Sequence, residues 1–268
     1  MRFGTVFANV GPRGQESEDL VSEARQQALY DDIGRGYAQA RVPDPRIAAQ
    51  IRAALGDARS VVNVGAGAGS YEPRDLQVVA LDPSPVMLAQ RARDAAPAVC
   101  GVAETLPFPT GAFDAALVSL TLHHWTDQAR GIAELQRVAR RIVVFTFDID
   151  TFPWVATDYL PEMIGQVDFN FPTIDELAAM LDADVQPVPV PRDCTDGFTG
   201  AYWARPEAYL DPAVRAGMSA IRTLDHDLVT ARMARLADDL TSGAWDDRYG
   251  HLRELDELDL GYRLLVTR

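Results

Sequence analysis

The stretch VVNVGAGAGS, residues 61–70, constrains the fold of this chain more than any other. Its first four residues are apolar except for Asn63, and three glycines then alternate with alanines. An apolar run bounded by turn residues is typical of a strand buried on both faces of a parallel sheet. Glycines directly after such a strand indicate either a positive φ or a ligand that approaches the backbone closely. Both conditions are met where a nucleotide-like ligand binds at the carboxyl end of the first strand of an open α/β sheet.

A carboxylate follows at the expected place. Asp82 ends a second apolar run, residues 77–82. An acidic residue at the tip of the second strand is placed to accept hydrogen bonds from both hydroxyls of a ribose. The glycine turn, the strand and the carboxylate together predict a binding site for adenosine.

The spacing of the glycines narrows the choice of ligand. A dinucleotide site has the pattern GxGxxG before a long helix, but Ser70 stands where the third glycine would be. Only residues 71–76, with Pro73 among them, precede the second strand, so a full crossover helix does not fit. No basic residue follows the glycines, and a P-loop is absent. The pattern favours a ligand that carries adenosine without a phosphate chain; a tight turn with no ligand is the alternative.

Three further segments complete a recognisable pattern: LDPSPVMLAQRA (81–92), GVAETLPFPTGAFDAALVS (101–119) and TLHHW (121–125). With them the chain resembles the Rossmann-like S-adenosylmethionine-dependent methyltransferases, particularly the branch of the ubiquinone/menaquinone methyltransferases. The resemblance covers about the central third of the chain. One departure is that the family usually has an acidic residue where this chain has Asn63. That position helps to orient the methionine end of the cofactor, directly or through water.

The resemblance implies S-adenosylmethionine as the cofactor and assigns residues to it. Ala103 and Glu104 are expected to edge the adenine, and an N-terminal segment is expected to cover the other end. In that segment Tyr30 or Tyr37 would lie over the cofactor and Arg41 would bind its carboxylate; ordinary surface residues are the alternative. The full set of expected cofactor-binding residues is Tyr30, Tyr37, Arg41, Gly65, Ala66, Gly67, Asp82, Pro83, Met87, Ala103, Glu104 and Ser119.

The remaining pattern predicts the fold class. Apolar runs alternate with helical periodicity from residue 47 to residue 150, which requires parallel strands with crossovers on both faces. The resemblance implies a doubly wound, mostly parallel α/β sheet of seven strands, in which the last strand runs antiparallel beside the fifth, and a helical lid. We expect an N-terminal arm with covering helices in 1–46, the cofactor-binding core in 47–150, the sheet continuation and lid in 151–257, and a final strand in 258–268.

Aromatic side chains of the lid and of the segment after the fourth strand are candidates for the acceptor site. The expected residues are His124, Trp125, Trp154, Tyr202 and Trp203; the alternative for the lid aromatics is the core of the lid itself. His123 and His124 stand where a base could act, although packing is the favoured interpretation for both. Methyl transfer is an in-line displacement that depends mainly on alignment, so no catalytic residue is assigned.

The composition of the chain limits the classes of partner that it can have. The chain has 268 residues and a net charge of −14, which argues against DNA or RNA as partner because phosphate backbones are repelled. Two cysteines without a CxxC motif predict reduced thiols, a cytoplasmic location and no zinc site. No apolar run reaches the about 20 residues that span a bilayer, so no membrane association is expected. The oligomeric state is left open.

These observations predict a methyltransferase acting on a small, hydrophobic or aromatic metabolite. A non-catalytic protein of the same fold that holds S-adenosylmethionine or S-adenosylhomocysteine shares every motif and stays open as an alternative. A NAD-dependent oxidoreductase shares the glycine turn and Asp82. The missing third glycine and the missing crossover helix count against it.

Overall fold

The computed structural model describes residues 41–166 and 171–268. It contains one seven-stranded sheet in the order β3-β2-β1-β4-β5-β9-β6 and a two-stranded ribbon of β7 and β8. The strands are β1 Ser60–Val64, β2 Gln77–Asp82, β3 Ala98–Cys100, β4 Phe113–Ser119, β5 Ala139–Phe147, β6 Ala183–Pro187, β7 Val190–Pro191, β8 Glu257–Leu258 and β9 Tyr262–Thr267. The expected Tyr30 and Tyr37 lie outside the described residues.

The α-helices and shorter turns surround this sheet. The α-helices are α1 Pro45–Ala54, α2 Pro85–Ala89, α3 Gln128–Val138, α4 Ile174–Leu181, α5 Pro212–Arg215, α6 Ser219–Arg222, α7 His226–Ser242 and α8 Ala244–Tyr249. A π-helical turn spans Val155–Tyr159, and 3-10 turns span Leu122–His124, Pro161–Gln166, Thr199–Tyr202, Pro206–Leu210 and Gly250–Glu254. No helix in the described ranges is both long and apolar enough to cross a membrane.

The strand directions confirm the predicted topology. Strands β1 to β5 pair in parallel, and β9 lies antiparallel between β5 and β6. In the register, Val143 of β5 lies opposite Val266, and Val185 of β6 lies opposite Leu265. The predicted final strand is shorter than expected, because Glu257–Leu258 leaves the main sheet and pairs with β7.

The crossovers are less helical than the alternation predicted. As expected, turns and no helix connect β1 to β2. The link from β3 to β4 also lacks a helix, and α2 between β2 and β3 has five residues. The sheet is therefore wound mainly by α1, α3 and α4.

Local signals account for where α1 and α4 begin. Asp44 caps α1 by accepting from the N–H of Arg46, and Pro45 occupies the first turn. Thr173 and Glu176 form a reciprocal capping box at the start of α4.

The central strands are buried on both faces, which makes the sheet the core of the molecule. Val61 and Val62 point to opposite faces of β1 and are both completely buried. Val61 packs in an apolar cluster with α1 and the lid, whereas Val62 packs in a second cluster with α3 and α4. Burial of side chains of this size stabilises the fold by about 1.5–3 kcal/mol each.

We expect substitution of Gly131 to loosen α3. A methyl group built on Gly131 would lie 2.7 Å from Cζ3 of Trp125, whose ring packs on the helix. Gly131→Ala should lower the free energy of unfolding by about 1–3 kcal/mol through overpacking. Urea unfolding would measure this. Gly165→Ala is the control, since nothing lies within 4 Å of its added methyl group; equal effects in both variants would contradict the explanation.

Candidate functional site

A cavity of about 640 Å³ opens at the carboxyl ends of β1, β2, β4 and β5. The last residues of these strands, Val64, Asp82, Ser119 and Phe147, all line it. Ligands of open α/β sheets bind at this edge, where the strand order reverses. The volume is in the range of pockets for small molecules and cofactors.

The turn after β1 forms one wall of the cavity. The N–H groups of Gly65 and Ala66 both donate to the carbonyl of Leu81, at 2.8 and 3.0 Å. Gly65 has a φ of 72°, and a side chain there would lie 2.7 Å from Cβ of Thr121. Glycine is therefore required both by the backbone conformation and by the neighbouring loop.

Asp82 joins the turn after β1 to the turn after β2. Its Oδ2 accepts from the N–H of Gly67 at 2.7 Å and its Oδ1 from the N–H of Ser84 at 2.9 Å. Burial raises the pKa of the Asp82 carboxyl above its usual value, and these two N–H groups act in the opposite direction. Each carboxylate oxygen has a second lone pair. The buried carboxylate on the cavity wall fits the two hydroxyls of a ribose.

The structure brings the predicted cofactor residues together. Within the described parts of the chain, every one of them lines the cavity: Arg41, Gly65, Ala66, Gly67, Asp82, Pro83, Met87, Ala103, Glu104 and Ser119. His124 and Trp125 line it as well. The predicted residues from Gly65 to Trp125 share one cavity because the parallel strands place their ends at the same edge of the sheet, and Arg41 reaches it from the segment before α1.

Glu104 and Trp125 lie at the same end of the cavity. Oε1 of Glu104 accepts from the N–H groups of Thr126 and Asp127, at 2.8 and 3.2 Å. This carboxylate ties the loop after β3 to the loop after β4. The loop that is expected to edge the adenine is therefore fixed relative to the loop after β4.

Arg41 lies on the cavity wall in a network that the sequence did not predict. Its Nε donates to Oδ1 of Asp196 at 2.6 Å and its Nη2 to Oδ2 at 3.2 Å. The hydroxyl of Tyr71 donates to the same Oδ2 at 2.8 Å. Asp196 is completely buried, and burial raises the pKa of the Tyr71 hydroxyl. Binding of a cofactor carboxylate by Arg41 stays a prediction.

Aromatic side chains around His123 line a further part of the cavity wall, which is called the aromatic end below. The ring of His123 lies 5.0 Å from that of Phe147 and 6.4 Å from that of Phe171, both edge to face. Burial lowers the pKa of His123 well below its usual value, and the neighbouring His124 acts in the same direction. His123 is therefore a neutral imidazole at pH 7. Phe147 and Phe171 were not predicted as site residues, since apolar residues at strand and loop ends carry no distinctive signal.

The structure does not bring Trp154, Tyr202 and Trp203 to the cavity wall. The indole N–H of Trp154 donates to the carbonyl of Trp203 at 2.8 Å, and that of Trp203 donates to the carbonyl of Val190 at 3.0 Å. Tyr202 packs against Tyr209 and under the guanidinium of Arg205. Trp154 and Trp203 form part of the core of the lid, because their rings are buried and both indole N–H groups have acceptors. Tyr202 is partly buried and packs against this core.

Comparisons with known proteins agree with this geometry. The methyltransferase domain family matches residues 62–147. A solved structure from Anabaena variabilis, described as a methyltransferase from an antibiotic biosynthesis pathway, is 34% identical with a TM-score of 0.80. The match covers 86% of this chain and 99% of that one.

Two curated relatives are similar over about half of this chain. The demethylmenaquinone methyltransferase of Mycolicibacterium vanbaalenii is 35% identical over 153 residues, which is 48% of this chain. That of Renibacterium salmoninarum is 37% identical over 171 residues, which is 58% of this chain. The match spans 64% of the length of each relative.

Removal of the Asp82 carboxylate should weaken cofactor binding. In Asp82→Ala the two ribose hydroxyls and the N–H groups of Gly67 and Ser84 lose their acceptor, so binding of S-adenosylhomocysteine should weaken by about 1–3 kcal/mol. Isothermal titration calorimetry measures this. Asp148→Ala is the control, because Asp148 lines the cavity at the end of β5, away from the glycine turn. Unchanged affinity in Asp82→Ala would remove Asp82 from the site.

The lowered pKa values of the two histidines on the cavity wall should make the fold sensitive to acid. Burial lowers the pKa of His124 from 6.5 to about 4. Between these values the unfolded chain binds more protons than the folded one, so stability falls as the pH is lowered from about 6.5 towards about 4. Urea unfolding at pH 7 and pH 5 should show a smaller loss in His124→Gln than in the wild type. The exposed His226→Gln is the control; the same loss in all three proteins would contradict this origin.

Proposed function

The chain belongs to the Rossmann-like S-adenosylmethionine-dependent methyltransferases, and we propose that it transfers a methyl group to a small, hydrophobic or aromatic acceptor. The observation that carries the proposal is that two different surfaces line one cavity. One has the glycine turn and the Asp82 carboxylate, and the other has the aromatic rings around His123. A cofactor and an apolar acceptor can therefore meet inside one enclosure.

The residues present fit the cofactor of this family. Asp82 would hold the ribose, Ala103 and Glu104 would edge the adenine, and Arg41 would lie at the methionine end. Gly65 and Gly67 would allow close approach of the ligand to the backbone. When bound, S-adenosylmethionine supplies an electrophilic methyl group on a sulfonium whose leaving group is already good.

The protein's part in the reaction is then alignment and exclusion of water. Phe147 and Phe171 offer flat apolar surfaces on which an acceptor ring can pack edge to face or offset. Fixing the acceptor in line with the methyl group can supply about 7–11 kcal/mol of the barrier reduction. This contribution needs rigid walls and no nucleophile from the protein.

His123 is a group on this wall that can accept a proton from the acceptor. Its imidazole is neutral because of burial, and a neutral imidazole accepts the proton of a hydroxyl or an amine. We assign it to the acceptor and not to the cofactor, since it packs between Phe147 and Phe171. The ring centroid of His124, on the same 3-10 turn, lies 3.8 Å from that of His123, and the two ring planes are tilted by 49°.

Charge supports a small molecule over a nucleic acid as the acceptor. The net charge of −14 repels phosphate backbones, and Asp148 adds a carboxylate to the cavity wall.

We also propose a cytoplasmic location and the division of the chain into an N-terminal arm with covering helices, 1–46, a cofactor-binding core, 47–150, a sheet continuation with lid, 151–257, and a final strand, 258–268. The thiols of Cys100 and Cys194 are unpaired, which supports a reducing environment.

Methyl transfer can be tested without knowing the acceptor. We expect label from [methyl-¹⁴C]S-adenosylmethionine to enter the organic-soluble fraction of a small-molecule cell extract. Label in added bulk RNA or DNA would contradict the acceptor class. Tight binding of S-adenosylhomocysteine with no transfer to any fraction would favour the non-catalytic binding protein.

His123→Phe should separate chemistry from binding. Phenylalanine keeps the ring between Phe147 and Phe171 but removes the base, so kcat should fall about 10²-fold, the low end of a positioned base's contribution. The Kd of S-adenosylhomocysteine should not change, because His123 lies at the acceptor end. His226→Gln, an exposed histidine of the lid, should keep full activity. Unchanged kcat in His123→Phe would return His123 to a packing role.

A further inference from the structure

A buried ion pair lies behind the glycine turn and is not part of the cavity wall. Nη2 of Arg91 donates to Oε2 of Glu72 at 2.6 Å, and the two side chains are 5% and 10% exposed. Taking two charges out of water is unfavourable unless each is paired and hydrogen-bonded. A pair at this position, directly beneath the cofactor turn, therefore calls for an explanation.

The contacts of Arg91 reach the turn itself. Its Nη1 donates to the carbonyl of Gly67 at 3.4 Å and its Nη2 donates to the carbonyl of Ala96 at 3.2 Å. The N–H of the same Gly67 donates to Asp82. Gly67 is thus held at its N–H by the carboxylate that is proposed to bind the ribose, and at its carbonyl by Arg91.

The contacts of Glu72 explain the departure at Asn63. Nδ2 of Asn63 donates to Oε1 of Glu72 at 3.0 Å. A carboxylate only accepts hydrogen bonds, so the amide must turn its NH₂ group towards Glu72. An aspartate at position 63 would instead place two carboxylates against each other. The amide suits this chain because the negative charge stands on Glu72.

We propose that Glu72 and Arg91 are positioning residues for cofactor binding, and that Glu72 carries the negative charge to which both Arg91 and Asn63 donate. Glu72 orients Arg91 and Asn63, Arg91 holds the carbonyl of Gly67, and the turn is thereby preorganised before the ligand arrives. The inference rests on the proposed cofactor site and extends it to residues that do not touch the ligand.

A set of variants separates positioning from stability. Arg91→Met leaves Glu72 buried without its partner, so both the melting temperature and the affinity for S-adenosylhomocysteine should fall, the latter at least tenfold. In the double variant Glu72→Met with Arg91→Met both charges are gone, which removes the cost of the unpaired Glu72 carboxylate, while the buried amide of Asn63 loses its acceptor. Its melting temperature should lie above that of Arg91→Met while its affinity stays at least tenfold weaker, since the Arg91 donor to the carbonyl of Gly67 is gone.

Arg91→Lys keeps the charge but cannot reproduce the guanidinium fork. It should melt near the wild type and still bind more weakly, which tests the proposal even if the double variant does not fold. Asn63→Asp, which installs the usual acid of the family, should weaken binding and lower the melting temperature through repulsion of Glu72. Arg74→Met, which removes an exposed ion pair with Asp94, is the control and should change neither quantity.

The measurements are calorimetric titration with S-adenosylhomocysteine and thermal unfolding of each full-length variant. Wild-type affinity in Arg91→Lys, or affinity that recovers together with the melting temperature in the double variant, would reduce the pair to a structural role. Tighter binding by Asn63→Asp would show that the charge of Glu72 does not require an amide donor at position 63. Absence of binding by the wild type would instead contradict the proposed cofactor site, so the two failures are distinguishable.

Discussion

The hydrogen bond from the N–H of Gly67 to the buried carboxylate of Asp82 is the interaction on which the site depends. It joins the turns that follow β1 and β2, and so it fixes the floor of the cavity. The same carboxylate accepts from Ser84 at the start of α2. A carboxylate that organises its own loops before any ligand arrives can bind a ribose with little reorganisation, because the ordering has already taken place on folding.

A second buried carboxylate, Asp196, connects this core to the lid. Arg41 reaches it from the segment before α1 and Tyr71 reaches it from the end of the glycine turn. Three separate stretches of the chain therefore meet at one charge that is completely buried. Removal of a single partner from such a group is expected to destabilise the fold strongly, since the remaining charge cannot be hydrated. The position of the lid over the cavity is coupled in this way to the cofactor turn.

The features that could be predicted from the sequence are those that depend on residues close together in the chain. The caps at Asp44 and Thr173, the buried strands and the ends of the parallel strands depend on neighbours within a few residues, and the resemblance supplied the order of the last strands. The pairing of Arg41 with Asp196 spans 155 positions, and no local pattern indicates it. Trp154 and Trp203 were predicted for the acceptor site because composition does not distinguish the core of a lid from the wall of a cavity.

The most direct test of this account is a crystal structure of the protein with S-adenosylhomocysteine. The account predicts both ribose hydroxyls on Asp82, the adenine beside Ala103 and Glu104, and the sulfur facing the aromatic end at His123. A ligand bound with its ribose away from Asp82, or with its sulfur turned away from that end, would contradict the central claim that one cavity holds both reactants.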